Sequence, residues 1–184
     1  MAFSPVDENL LLRGLDGGII ELWNVADDKC VKTFMGHKKS IRALAFSRDG
    51  CRFLSSSDDK TVRLWSICEE NALRVFEGHS EYVYGCHFFQ NEEYVISWDN
   101  SIKLWHIDSG KCVETEETGE FLICSSLSPN EQELSLGASR GHLLLYSTPP
   151  SPCTSLDSSL QLSFLFHDKA TKEEKAPHSR SKRK

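Results

Sequence analysis

A short apolar segment that closes on an aromatic residue recurs four times along the chain: Ile20-Glu21-Leu22-Trp23, Val62-Arg63-Leu64-Trp65, Ile102-Lys103-Leu104-Trp105 and Leu143-Leu144-Leu145-Tyr146. The closing aromatics stand at 23, 65, 105 and 146, in steps of 42, 40 and 41 residues. A repeat of that size is one supersecondary unit that cannot bury its own hydrophobic face and must stack on its neighbours. A second marker, Gly36-His37 and Gly78-His79, repeats at a step of 42 and leads Trp65 and Trp105 by 29 and 27 residues. The two markers keep phase, so the chain is a repeat array.

Within a repeat the apolar residues alternate, as in Ile41-Arg42-Ala43-Leu44-Ala45-Phe46 and Thr61-Val62-Arg63-Leu64-Trp65, and turn-rich pieces such as Arg48-Asp49-Gly50 and Asp58-Asp59-Lys60 separate the runs. That pattern predicts short antiparallel strands joined by tight turns. The one weak helical candidate, around residues 169–176, has no apolar face. The fold class is all-β.

The chain has 184 residues, 39% hydrophobic and 26% charged, the balance of an ordinary globular domain long enough to need no metal or disulfide. Its cysteines (Cys30, Cys51, Cys68, Cys86, Cys112, Cys124 and Cys153) are scattered singly and read as reduced thiols, several of them core filler. No run approaches a membrane span and the N-terminus lacks the pattern of a signal peptide, so a cytoplasmic or nuclear protein with no membrane partner is expected. Residues 169–184 hold 7 basic and 2 acidic residues, leaving 14 basic against 25 acidic, a net of −11, for residues 1–168. The body is acidic and the tail basic.

His37, Ser57, Asp59 and Trp65 form one set, and His79, Ser97, Asp99 and Trp105 another at matching positions. Ser, His and Asp together suggest a hydrolase triad, but a catalytic constellation is built once, whereas here the trio comes twice, each time tied to a strand tryptophan. Repetition argues for scaffolding. Gly-His followed by Ser-x-Asp-x-x-apolar-x-x-Trp resembles the WD-repeat β-propeller family over residues 1–147. The likeness is close in the two central repeats and degenerate at the ends, where Leu15 and Gly17, then Ala138 and Arg140, stand at the Ser and Asp positions, and Glu117-Thr118 replaces Gly-His. The resemblance implies that each set is a structural hydrogen-bonded chain of Asp, His, Ser and Trp.

It also implies four-stranded blades: an incomplete first blade over 1–34, in which only Phe3-Ser4-Pro5 remains as the end of the innermost strand, complete blades at 41–76 and 83–115, and a degenerate blade at 121–147. Residues 148–159 read as a Pro/Ser linker, 160–166 as a candidate outer strand of the fourth blade, and 167–184 as a disordered basic tail. Three to four blades sit at the lower limit for a ring. A piece of a longer propeller is therefore the favoured reading, ahead of an open arc or a ring completed by further WD-repeat blades in trans.

A propeller of this kind implies a non-catalytic scaffold or adaptor that binds proteins or peptides. The expected binding face carries Lys38, Lys39, Ser40, Asp58, Lys60, Glu81, Tyr82, Trp98 and Asn100, with Tyr82 and the non-periodic Trp98 as the aromatic anchors. The wording Val95-Ile96-Ser97-Trp98-Asp99 and Ser55 to Trp65 resembles the sensor propellers of signalling ATPases of the apoptotic protease-activating factor type, although the chain has no P-loop of its own. The other class is a nuclear or nucleic-acid-associated factor acting through Arg180, Lys182, Arg183 and Lys184, since the acidic body disfavours nucleic acid elsewhere. No cofactor loop or metal cluster stands out. The paired glutamates, including Glu92-Glu93, read as solubilising charge, and His87 and His142 as lacking a partner.

Overall fold

Successive side chains of a strand point to opposite faces, and consecutive apolar residues such as Phe53-Leu54 and Leu64-Trp65 make both faces of the sheet apolar, so such a sheet is stable only between two neighbours. The computed structural model describes residues 1–89, 92–128 and 133–147, and the linker, the candidate strand 160–166 and the basic tail lie outside the described residues. Four antiparallel sheets follow one another in chain order. Blade I contains β1 (Ala2–Phe3), β2 (Leu10–Gly14), β3 (Ile20–Asn24) and β4 (Lys29–Phe34). Blade II contains β5 (Ile41–Phe46), β6 (Arg52–Ser57), β7 (Thr61–Ser66) and β8 (Arg74–Glu77). Blade III contains β9 (Gly85–Phe89), β10 (Tyr94–Trp98), β11 (Ser101–His106) and β12 (Cys112–Glu117). Blade IV shows three strands among the described residues, β13 (Leu122–Leu127), β14 (Glu133–Ala138) and β15 (Leu143–Ser147).

Blade I keeps only the end of an innermost strand, a two-residue stub pairing Ala2 with Leu12 and Phe3 with Leu11. The stub ends at Ser4, whose buried hydroxyl accepts the N–H groups of Val6 and Asp7 and turns the chain.

The blades stack through their inner strands in the order β1, β5, β9, β13, and three separate cores fill the gaps between consecutive blades. Neighbouring residues of one strand serve different cores. Phe53 and Trp65 of blade II pack on Leu12, Ile20, Leu22 and Phe34 of blade I, while Leu54, Val62, Leu64 and Phe76 turn the other way, onto Val83, Phe88, Val95 and Trp105 of blade III. Ile96, Ile102 and Leu104 of blade III then meet Leu122, Leu134 and Leu136 of blade IV. Each fully buried side chain of this size contributes roughly 1.5–3 kcal/mol, so the stacking, rather than any one sheet, stabilises the array. Trp65 and Trp105 each face the blade before their own.

Gly85 is required by a close approach. A Cβ there would lie 1.9 Å from the indole of Trp98, the residue it pairs with across β9 and β10. The cysteines depart from the reading of several as core filler: Cys86 is buried, Cys30 partly so, and Cys51, Cys68, Cys112 and Cys124 are exposed. All six described thiols are free.

Candidate interaction surface

The polar residues of the repeats fall into a buried set that fixes the blades and a rim at the starts of the inner strands. In the buried set, Trp65 Nε1 donates to Ser55 Oγ at 2.8 Å, Ser55 Oγ lies 2.7 Å from His37 Nε2, and His37 Nδ1 lies 2.8 Å from Asp59 Oδ2. An indole only donates and a carboxylate only accepts, so with a neutral imidazole the order runs Trp65 to Ser55, Ser55 to His37, and His37 through Nδ1–H to Asp59. Burial favours that neutral imidazole, holding the His37 pKa below the ordinary value and outweighing the pull of Asp59. For Asp59 burial acts upward, but hydrogen bonds from Thr61, the Lys38 N–H and His37 outweigh it and hold the carboxyl at about 2.

The serine of this first chain is thus Ser55, correcting Ser57. Ser57 Oγ instead donates to Lys39 O and accepts the Asp59 N–H, both at 3.1 Å, which braces the turn. The second chain keeps its expected members: Trp105 Nε1 donates to Ser97 Oγ at 2.8 Å, and Ser97 Oγ is 2.6 Å from His79 Nε2. His79 Nδ1 lies 3.1 Å from Asp99 Oδ1 but off the line of a hydrogen bond, so that contact is electrostatic. Burial acts upward on Asp99 too, and the facing His79 with the N–H and hydroxyl of Ser101 drives its pKa well below the ordinary carboxylate range.

The rim lies where the connectors enter β5, β9 and β13. Lys38 and Lys39 are exposed, and Lys39 Nζ sits 5.5 Å from the ring centroid of Tyr82, itself 40% exposed. Arg42 places its guanidinium 5.9 Å from the Tyr84 ring while its fork holds Asp58, with Nη2 at 2.7 Å from Oδ2. Tyr84 then meets Phe121 edge to face at 6.3 Å. The rim thus carries two groups, Lys39 with Tyr82 and Arg42 with Tyr84 and Phe121, spread over the entries to three blades. Ser40 Oγ donates to Asp16, Lys60 Nζ reaches Ser80 O, Glu81 is exposed and its N–H binds Asp99, and Asn100 accepts the hydroxyl of Ser80.

Trp98 does not belong to the rim. It is 2% exposed within β10, packed with Ile96, Ile102 and Leu136 in the core between blades III and IV and tilted against His87 at 5.5 Å. Gly85, with no side chain, leaves the space that lets the indole lie inward. Phe121 and Tyr84 were not singled out in the sequence. A signal for Phe121 existed, since it follows Thr118 by three residues as Tyr82 follows His79, but the degenerate Glu117-Thr118 concealed it. His87 and His142 do have partners, Ser125 Oγ and Glu120 Oε1, both at 2.9 Å. Glu92 is structural as well: it accepts the Arg48 N–H and the Arg52 guanidinium, joining a hairpin of blade II to one of blade III.

The family model for the WD domain, G-beta repeat, matches residues 28–66 and 70–106, which contain both buried Trp–Ser–His–Asp chains. The chain is built from WD repeats. Among solved structures, the C-terminal WD40 domain of Sif2 superposes with a TM-score of 0.68 at 23% identity, over 77% of this chain and 41% of that one. Apoptotic protease-activating factor 1 of Rattus norvegicus is 30% identical over 80% of the WD-repeat chain and 12% of its own length. Pre-mRNA-processing factor 17 of Mus musculus is 31% identical over 72% and 16% respectively. U3 small nucleolar RNA-associated protein 12 of Saccharomyces cerevisiae is 45% identical over 62% and 12%. The WD-repeat chain therefore spans only 12–16% of the length of these relatives. Among its described residues no helix is long and apolar enough to cross a membrane.

Proposed function

We propose that the chain is a non-catalytic interaction module that holds a peptide or protein loop along the rim, with Tyr82 and Phe121 as apolar anchors and Lys39 as the flanking cation. The observation that carries this reading is the rim's two groups of rings and cations, Lys39–Tyr82 and Arg42–Tyr84–Phe121, at the entries to three blades. They are held from below by the rigid buried chains, so little side-chain freedom is lost when a ligand docks. The likeness to apoptotic protease-activating factor 1 supports a sensor role within a nucleotide-binding regulator as the finer form of the same function. The test is selection of peptides from a random library on the purified chain. Binding of the selected peptides should fall at least tenfold in Tyr82→Ala and Phe121→Ala and persist in Val31→Ala, on the outer strand of blade I. Ligands indifferent to both rim variants would remove the assignment.

A second reading is favoured by the relatives named for pre-mRNA processing and for small nucleolar RNA association. In it the Arg180, Lys182, Arg183 and Lys184 tail contacts phosphates or directs nuclear import. Binding of single-stranded RNA that weakens steeply with salt, and is lost on changing Lys182 and Arg183 to Ala, would support it over the first.

A further inference from the structure

The gaps on either side of blade II each hold a pair of cations on their outer side. One cation of each pair stands on an outer strand and reaches a backbone carbonyl of the next blade: Lys32 Nζ donates to Ile67 O at 2.7 Å, and Arg74 Nη2 to Asp108 O at 2.8 Å. The other stands on the third strand of that next blade, Arg63 in the first gap and Lys103 in the second. Each lies two residues before the strand tryptophan, Trp65 or Trp105, and so shares the face that packs on the preceding blade. Lys103 Nζ bonds Thr115 Oγ1 at 3.1 Å, and Arg63 Nε is buried with no hydrogen-bond partner. A Cβ on Gly36 would lie 2.7 Å from Arg63 Nη1, so the glycine leaves the room that the guanidinium occupies. None of the four cations is ion-paired among the described residues.

The pairs are confined to the flanks of blade II. In the third gap Glu114, opposite Leu104, takes the place that Lys32 holds opposite Leu22 and Arg74 opposite Leu64. Leu144, two residues before Tyr146, takes the place of Arg63 and Lys103. The four cations are thus a local feature of a body whose residues 1–168 carry a net charge of −11. Between the two pairs runs β8, whose outer edge is unpaired among the described residues. It presents Val75, opposite Arg63 in the sheet and 38% exposed.

We propose that this outer flank of blade II binds an acidic segment of a partner protein, one carboxylate entering against Lys32 and Arg63 and another against Arg74 and Lys103, with the backbone of the segment crossing β8. Charge-assisted hydrogen bonds to carboxylates are the strong ones, and donors already held in place lose little further freedom in making them. Lys32 and Arg74 each spend one donor on a carbonyl and retain others. Val75 gives the segment an apolar contact between its two charges. Glu77 and Glu117, exposed on the faces of Arg63 and Lys103, favour a peptide over a nucleic acid. A strand with a phosphate at every nucleotide would meet both glutamates, whereas a peptide carries its carboxylates only where the gaps lie.

The flank lies on outer strands and the rim at the starts of inner ones, so each can fail its test without the other. Fluorescence anisotropy and carbodiimide cross-linking of the full chain at low salt test the flank, with a labelled twelve-residue peptide of alternating Glu and Ala as probe. The Glu peptide should bind and its Gln counterpart should not, and carbodiimide should join its carboxylates to Lys32 and Lys103. Arg63→Gln/Lys103→Gln should weaken binding at least tenfold, while Arg13→Gln/Arg140→Gln, which removes as much charge elsewhere, should leave it unchanged. If the first pair melts below the wild type, Lys103→Gln alone, whose side chain bonds a surface hydroxyl, should still lower the affinity at least threefold. No binding of the Glu peptide at millimolar concentration, cross-links confined to Lys38 and Lys39 of the rim, or equal losses in both double variants overturns the proposal. Single-stranded RNA that binds more tightly than the Glu peptide, and through Arg63 and Lys103, overturns the choice of partner.

Discussion

Ser55 accepts the indole N–H of Trp65 at 2.8 Å from ten positions away, across a hairpin. Replacing Ser55 with Ala leaves that N–H and His37 Nε2 buried and unpaired, a cost of about 1–3 kcal/mol for each such group. Ser57 is buried too, but its two bonds are longer, both at 3.1 Å, and go to backbone groups of the exposed Lys39 and the half-buried Asp59, so Ser57→Ala should cost about 1 kcal/mol or less. Urea unfolding midpoints of the two variants, at unchanged slope, check the order; the reverse order would refute the placement of the buried chain.

Gly85 and Trp98 form a coupled pair. Gly85→Ala forces a methyl group into the indole and should destabilise the fold by about 1–3 kcal/mol, as overpacking does. Trp98→Leu costs stability by itself but vacates the space, so the double variant should be more stable than the sum of the single effects predicts. A double-mutant cycle in denaturant measures this, and additivity within error would contradict the contact.

Acid should weaken the fold in two stages. His37, facing Asp59 and Arg63, and His87 both have pKa values held below 6.5 by burial, so the unfolded chain takes protons that the folded chain resists. Their contribution is fully present above pH 6.5 and is lost as pH falls below it. Asp59 is held at about 2 against an ordinary 3.8, so its contribution is complete above 3.8 and disappears on the way down to 2. Thermal melts from pH 8 to 3 should show a constant Tm down to about 7, a first decline from 6.5 and a second below 4. A Tm unchanged between pH 7 and 5 would contradict the first stage.

The thiols should divide by reactivity. Burial pushes Cys86 up to about 12, leaving almost no thiolate at neutral pH, whereas Cys51, Cys68, Cys112 and Cys124 are exposed. A thiol reagent at pH 8 should label the exposed cysteines within minutes and Cys86 only on the timescale of unfolding. Equal rates in the native protein and in urea would show Cys86 to be accessible.

The repeat period and strand alternation made the sheets legible, because both follow from side-chain direction along a strand. The rest depended on register across hairpins. Ser57 and Ser97 both stand two residues before their Asp, yet the turn between β6 and β7 is two residues longer than that between β10 and β11, which moves the functional serine back to Ser55. The same two residues separate the spacings of 29 and 27 between Gly-His and Trp. Trp98 read as a turn residue because its burial depends on Gly85, thirteen positions away. Phe121 escaped because the marker preceding it had lost its glycine and histidine.

The buried run from Trp65 to Asp59 has a chemical polarity that separates it from the triad its residues evoke. Its far end is an indole, which can give up a hydrogen bond but has no basic site to receive a proton, and the Ser55 oxygen is fully enclosed with the indole N–H already pointed at it. A proton taken up at Asp59 would have nowhere to go, and the serine cannot reach an external carbonyl. The trio is a one-way circuit with a closed terminus, which lets a propeller repeat it blade after blade without creating an unwanted hydrolase.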